Sequence, residues 1–272
     1  MASDRRLLSD YMPGIPDPLT LHTPVCHHCT SSQTCPFRTL IERVGLHESG
    51  FISSKVYPQG SIIFSEGEPI SALHLVCAGL VLVTKLNPHG QEAVMHVIPP
   101  GGILNLSDHA RSGRTYTCSA EALVETTIAF FQPAQILGHM RRDVSFAMGM
   151  FDIAVAQLKD LEDRFVAYQH QDVKNRIIRF LAFLVRYFAV SPDDKGRITI
   201  PFKLRRPVLA RAVGTTTETV SRIMGKLARM QLIKEQPDAL VVVNLDKLQA
   251  LAGSRRTSQW GEASSPPGRI KP

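Results

Sequence analysis

LRRPVLARAVGTTTETVSRIMGKLARMQLIK, residues 204–234, reads as two short helices around a tight turn. The first helix is expected over Pro207–Val213, with Pro207 in a first turn where its missing N–H needs no partner. Gly214 follows, where a helix C-cap favours a residue that tolerates positive φ. Thr216 or Thr217 then offers an N-cap oxygen to a second helix. In that helix Val220, Ile223, Met224 and Leu227 fall at helical spacing and pack inward, while Glu218, Ser221, Arg222, Lys226 and Arg229 fall on the other side. A helix with a packed back and a polar, basic front after a glycine turn is what a DNA-reading helix-turn-helix requires. An ordinary helical pair with a solvated charged face has the same local pattern, so the decision falls to the flanks.

Downstream, Leu232–Lys234 and Leu240–Val243 read as a hairpin across Gln236-Pro237-Asp238, and Asp246–Leu251 as a last short helix. Upstream, Arg197–Phe202 reads as a strand after a polar turn at Ser191–Gly196, and residues 171–189 as a helix with a strongly apolar face. Strand, helix-turn-helix and hairpin together make a winged helix. Charge points the same way. The 272 residues carry a net +7, yet residues 1–169 hold 12 Lys and Arg against 16 Asp and Glu, whereas residues 170–250 hold 15 against 7. A basic footprint confined to the winged helix neutralises phosphates.

Before the winged helix, residues 134–168 have a helical period. Val144, Ala147, Phe151, Ala154, Leu158, Leu161 and Phe165 alternate spacings of 3 and 4, which is a heptad seam. Such a seam lies either on the preceding domain or on a partner helix, and its strict period favours a parallel dimer. Two recognition helices related by a two-fold then reach half-sites about one DNA turn apart.

From Phe51 to Gln132 the pattern is short strands: Phe51–Val56, Ser61–Phe64, Ala72–Cys77, Leu80–Leu86, Ala93–Ile98, Tyr116–Ala120 and Thr126–Phe131. Gly and Pro break many of the joins, so a β-sandwich or jelly-roll barrel is expected, of the kind that encloses a small-ligand pocket. His74, His89, His96 and His109 are scattered through it, with no pair at ligand spacing.

Five cysteines are present, three of them in the stretch VCHHCTSSQTCPF as Cys26-x2-Cys29-x5-Cys35. Three soft ligands this close suit an iron–sulfur centre or zinc, and His27 and His28 stand ready to complete a tetrahedral zinc site. Loose thiols are the plain alternative. A short helix is expected over Arg38–Leu46. No run approaches the roughly 20 apolar residues of a membrane span. The N-terminus lacks an apolar core with a cleavage site, so a cytoplasmic protein without membrane partners is expected. No nucleophile elbow, phosphate loop or HExxH motif occurs, and an enzyme is not expected.

The order of cysteine cluster, β-barrel, heptad helix and winged helix-turn-helix resembles the CRP/FNR family of bacterial regulators. TTTETVSRIMGKLARMQLI at 215–233 looks like that family's recognition helix, LARAVG at 209–214 like its preceding helix, and SEGEPISALHLVCAGLVLV at 65–83 like its barrel hairpins. The resemblance runs from about Cys26 to Gly253. It implies an α+β chain of five parts: an N-terminal cysteine-rich segment with a short helix (1–50), a sensory jelly-roll barrel of the cyclic-nucleotide-binding kind (51–133), a dimerisation helix (134–168), a winged helix-turn-helix (169–253) and a disordered tail (254–272).

The resemblance also implies that Glu218 and Arg222 read bases, with Ser221 between them and Thr216, Thr217 and Lys226 beside them. Ser221 is similar to the oxygen-sensing branch, which implies a palindrome of TTGAT-type half-sites. RNA polymerase is the further partner implied. The cAMP site of the family needs Gly-Glu, whereas Gly102 is followed here by Ile103, and Arg114-Thr115 keeps only the second half of the Arg-Ser pair, so no cAMP is expected. The cysteine spacing matches the motif that, with a fourth barrel cysteine, holds a [4Fe–4S] cluster. That fourth position is Ala129 here, which leaves Cys118, favoured over Cys77, as its replacement, with His27 or His28 as a further alternative. The expectation is therefore a homodimeric, oxygen- or redox-controlled regulator. Its rival is a related regulator whose barrel senses another small molecule or haem, with the cysteines on zinc or free.

Overall fold

A computed structural model describes residues 52–90, 92–110, 115–170, 172–190 and 192–251. The side chains of residues 109, 110, 160 and 163–170 lie outside that description, as do Cys26, Cys29, Cys35, His27, His28 and the expected helix Arg38–Leu46. The chain divides into two compact units, Met1–Ala154 and Val155–Pro272.

Among the described residues of the first unit, seven strands form two antiparallel sheets. β1 (Ile52–Tyr57), β7 (Thr126–Phe131) and β3 (Leu73–Ala78) make one, in the order β1-β7-β3. β2 (Ile62–Phe64), β6 (Ser119–Ala122), β4 (Val81–Leu86) and β5 (Glu92–Ile98) make the other, in the order β2-β6-β4-β5. Val76, Val81, Val83, Ala120 and Ile128 bury side chains in one core, while Leu73, Leu75, Cys77, Ala129 and Phe131 enter a second core with Ile136 and Phe146. Adjacent β7 residues thus serve alternate cores, as the two-residue period of a strand requires. The strand expected over Tyr116–Ala120 starts later, at Ser119, because Thr117 is engaged by Asp108 on a one-turn helix α1 (Leu106–Ala110). That turn gives no sequence periodicity and is too short to be read in advance.

At Gly79 the chain takes φ +87° between β3 and β4, and a Cβ there would stand 2.4 Å from Glu125 O and Thr126 Oγ1. Glycine is therefore demanded twice, by conformation and by space.

The helical stretch expected over 134–168 is two helices, α2 (Pro133–Arg142) and α3 (Val144–His170). Asp143 makes the break. It leaves helical φ/ψ, and its Oδ1 accepts the Phe146 N–H at 3.1 Å, as an N-cap does. Phe146, Met150 and Ile153 of α3 pack into the core that Phe131 and Leu75 share.

The second unit holds α4 (Val173–Phe188), β8 (Ile198–Ile200), α5 (Arg206–Val213), α6 (Thr217–Arg229), β9 (Ile233–Glu235), β10 (Leu240–Val242) and α7 (Leu245–Ala250). Asp172 caps α4 through the Asn175 N–H, and Ile177, Ile178, Leu181, Leu184 and Val185 give it one buried face. β8, β10 and β9 pair antiparallel in that order, closing the wing. Asp193 fixes the turn before β8, accepting from the Lys195 and Arg197 amides and from the Arg197 guanidinium.

Candidate nucleic-acid interface

α5 ends at Gly214, which adopts φ 64° and ψ 58° and donates its N–H to Ala210 O and Arg211 O. Thr216 is the N-cap of α6, its side chain accepting from Thr219 N at 3.3 Å. Thr217 is the first residue inside the helix. Val220, Ile223, Met224 and Leu227 are buried beneath α6, and Leu209, Ala210, Ala212 and Val213 beneath α5. Glu218, Ser221, Arg222, Lys226 and Arg229 are exposed, with Thr217 half-buried beside them. At 100° per residue these exposed side chains share one face. α6 closes at Met230, and Gln231 takes φ 54° to turn the chain into the wing.

This face has a defined chemistry. Glu218 is held below the usual carboxylate range by its own backbone amide and by the Thr216 side chain, so it is an ionised acceptor. Ser221 donates its hydroxyl back to Thr217 O at 2.8 Å, which leaves its oxygen lone pairs outward. Arg222 and Lys226 supply donors one turn further on.

A second charged group was not legible from spacing. Glu235 on β9 accepts from Arg206, the first residue of α5, and from Lys203 Nζ at 3.1 Å. Burial alone would raise the Glu235 carboxyl, but the hydrogen bonds from Arg206 and Lys203 outweigh it and hold it below the usual range. The partners are 29 and 32 residues away, and only the wing brings them together.

Along α3, Val144 is 78% exposed, Phe151 61%, Leu158 56% and Leu161 42%, whereas Ala147 and Ala154 are half-buried. Met148 and Val155, outside the expected seam, are 53% and 45% exposed. The exposed apolar stripe is thus broader than the expected one and centred nearer Val144, Met148, Phe151, Val155 and Leu158. Phe165 falls among the side chains outside the description.

The described residues of the barrel include two cysteines, Cys77 and Cys118. Cys118 is half-buried, and burial, then the nearby Asp108 and Glu66 carboxylates, push its thiol up to about 11. Cys77 is buried on β3, two residues from Leu75, the partner of Ala129 on β7, and it shares a core with both. Cys118 packs against the other core. Among the described residues no three His, Cys, Asp or Glu side chains are grouped to hold a metal ion.

In place of a ribose-binding carboxylate, Ile103 is buried at 3% exposure and bridges to Leu75. A ring cluster of buried Phe64, His74 and Tyr116 with half-buried Phe130 occupies the neighbouring interior, with Phe64 stacked on Tyr116 at 4.1 Å. The Ile103 side chain brings no acceptor for a ribose hydroxyl. Arg114 lies outside the described residues.

Against known protein families, residues 54–143 match the cyclic nucleotide-binding domain and residues 175–251 the Crp-like helix-turn-helix domain. These two modules, in this order and over more than half of the chain, define a DNA-binding transcription regulator rather than an enzyme. The chain belongs to the CRP/FNR family. It is 29% identical over 195 residues to the global nitrogen regulator of Synechococcus elongatus, covering 69% of this chain and 84% of that protein. It is 21% identical over 237 residues to the anaerobic regulatory protein of Pasteurella multocida, covering 86% and 84%. The solved structure of FixK2 from Bradyrhizobium japonicum has the same fold, with a TM-score of 0.64, 22% identity and coverage of 75% and 98%. No helix among the described residues is long and apolar enough to cross a membrane.

Proposed function

We propose that this regulator is a cytoplasmic homodimer that reads a palindrome of TTGAT-type half-sites and answers to oxygen or redox state. On this reading Glu218, Ser221 and Arg222 face the bases. Arg222 lies bidentate on a guanine edge, Glu218 accepts from a cytosine amino group, and Thr216, Thr217 and Lys226 flank them. The chain divides functionally at 51–133, 134–168 and 169–253, between an N-terminal segment and a tail. Two copies pair along α3 through Val144, Ala147, Phe151, Ala154, Leu158, Leu161 and Phe165, with Met148 and Val155 widening the seam. The exposure of that apolar stripe supports the pairing. RNA polymerase is the further partner.

The spacing Cys26-x2-Cys29-x5-Cys35 carries the redox reading. Three thiolates in ten residues would hold a [4Fe–4S] cluster, with Cys118 as fourth ligand and Cys77 as its competitor. When bound, the cluster supplies a centre sensitive to oxygen and nitric oxide. The chain's own part is a two-state equilibrium: the N-terminal segment docks or leaves, and the α3 pairing that spaces the two recognition helices strengthens or weakens with it. The relative named as an anaerobic regulatory protein, aligned over 86% of this chain, supports the same direction.

Anaerobic purification tests this reading. Iron and acid-labile sulfide in equal amounts, lost in Cys29→Ser and on exposure to air together with DNA affinity, are expected. Protein without iron or sulfide, whose DNA affinity is indifferent to air, would sink the cluster and leave the DNA-binding assignment standing. A second reading has a specific observation behind it. By the family resemblance Ala129 stands where a fourth cysteine would be, which supports a barrel that senses another small molecule or haem, with the three cysteines on zinc or free. Zinc in place of iron in protein made in cells selects that reading.

A further inference from the structure

The Lys203–Glu235–Arg206 group is not part of the base-reading face, and it joins two elements that meet DNA differently. In a helix-turn-helix the first helix crosses the phosphate backbone while the second reads the groove. Arg206 is the first residue of that backbone-crossing helix, and Lys203 stands three residues before it. Both cations lean on one carboxylate carried by the wing strand β9. Lys203, Arg206 and Glu235 keep 37%, 26% and 24% of their side-chain surface exposed, so all three remain at the surface of the domain.

Sequence-independent DNA affinity comes from cations that neutralise phosphates and release counterions, and log K falls with log salt by about 0.9 for each phosphate engaged. A cation already paired with a protein carboxylate releases less, because part of its charge is spent before DNA arrives. A carboxylate beside the phosphates also repels them. The domain carries 15 Lys and Arg against 7 Asp and Glu over residues 170–250, so it has ample charge for unspecific binding. Placing one acid between two cations at the backbone-crossing helix reduces that affinity while the base-facing side chains of α6 are left as they are.

We propose that Glu235 is a specificity-determining residue of the DNA-binding domain: its carboxylate, shared between Lys203 and Arg206, withholds two cations from sequence-independent phosphate binding. It acts through those cations and touches no base, so it is a positioning residue. The proposal rests on the membership in a DNA-binding family and not on the cysteine centre.

The experiment compares full-length wild type, Glu235→Gln, Arg206→Gln and the double variant, all prepared anaerobically. Binding is measured across a salt series to a palindromic TTGAT duplex and to a duplex of unrelated sequence. Glu235→Gln is near-isosteric and keeps the strand pairing. It is expected to bind the unrelated duplex several-fold more tightly at low salt, to steepen the salt slope by roughly 1–2 per domain, and to lower the ratio between the two duplexes. Arg206→Gln in the wild-type background is expected to leave the slope nearly unchanged, and in the Glu235→Gln background to remove about half of the gain. An unchanged slope in Glu235→Gln, or equal weakening on both duplexes, overturns the proposal and makes the group a structural tie. A slope reduced by about one in Arg206→Gln alone also overturns it, because that guanidinium would already be on a phosphate. Wild type that binds neither duplex would instead remove the DNA-binding reading itself.

Discussion

The helix α6 and the barrel assemble their polar groups in opposite ways. On α6 the set proposed to face the bases lies within five residues, Glu218 to Arg222, and the buried set that holds it lies within eight, Val220 to Leu227. In the barrel, polar partners come from distant parts of the chain: His74 N donates to Asn105 Oδ1 across 31 residues, and Ser71 N to the Tyr116 hydroxyl across 45. A local pattern fixes what a helix presents, whereas a sandwich assembles its interior from pairings that no short window contains. The same division runs through α3, where Phe146 is 1% exposed and Phe151, five residues on, is 61% exposed.

Phe146→Ala should break the barrel side of this contrast most severely. Truncating a buried aromatic costs about 3–5 kcal/mol, read as a lower urea midpoint for the first unit. Phe151→Ala should stay within about 0.5 kcal/mol in the same measurement, because little of the ring is removed from water within one chain. Its effect should appear as weaker self-association in sedimentation. Equal destabilisation by both would mean that the two faces of α3 are not distinct.

Gly79→Ala comes next. With φ +87° and backbone oxygen 2.4 Å from a new Cβ, it should cost about 2–4 kcal/mol, read as a lowered melting temperature. Gly67→Ala is the control, since it has a similar φ of +88° but nothing within 4 Å of the added carbon. The difference between the two isolates the close approach from the backbone strain.

Most of the fold was legible from local chemistry. Strand and helix positions followed alternation and glycine punctuation, with β7 expected at Thr126–Phe131 and observed there. The winged helix followed from Gly214 and the period of Val220, Ile223 and Leu227. What spacing did not show was of two kinds. The Asp143 cap to Phe146 is local, three residues apart, and splits the helical stretch expected over 134–168, whereas Glu235 meets Lys203 and Arg206 only across the wing. The width of the α3 stripe escaped for a different reason. A heptad can be threaded through Ala147 and Ala154 or through Met148 and Val155, and only the packing of Phe146, Met150 and Ile153 on the barrel selects which face remains outside.

On the DNA side, Arg222→Ala should cost about 1–3 kcal/mol on the TTGAT palindrome and relax discrimination at one base pair. Lys226→Ala should weaken all duplexes alike and flatten the salt slope by roughly 1 per domain. Specificity retained in full by Arg222→Ala would displace the recognition helix from the groove and remove the contrast between local and non-local sites.

Thr216→Ala should have the smallest effect, and it tests how local the proposed base-facing set is. The Thr216 oxygen satisfies Thr219 N at 3.3 Å, and its loss removes one N-cap, about 1 kcal/mol. The helix survives, because Val220, Ile223, Met224 and Leu227 still anchor it from beneath. The first turn, with Thr217 and Glu218, loosens while Arg222 one turn on does not. The Thr216 side chain also helps hold the Glu218 carboxyl low, so its removal should move that group upward towards the ordinary carboxylate range. Base preference should therefore relax at the Glu218 contact alone, and acid should weaken that contact at a higher pH than in wild type, because the carboxylate protonates sooner. Thr216→Ser should restore both the cap and the lowered titration. A titration of Glu218 by NMR in the three proteins, with the base preference measured beside it, separates a loss confined to the first turn from a general loosening of α6, in which Arg222 discrimination would fall as well.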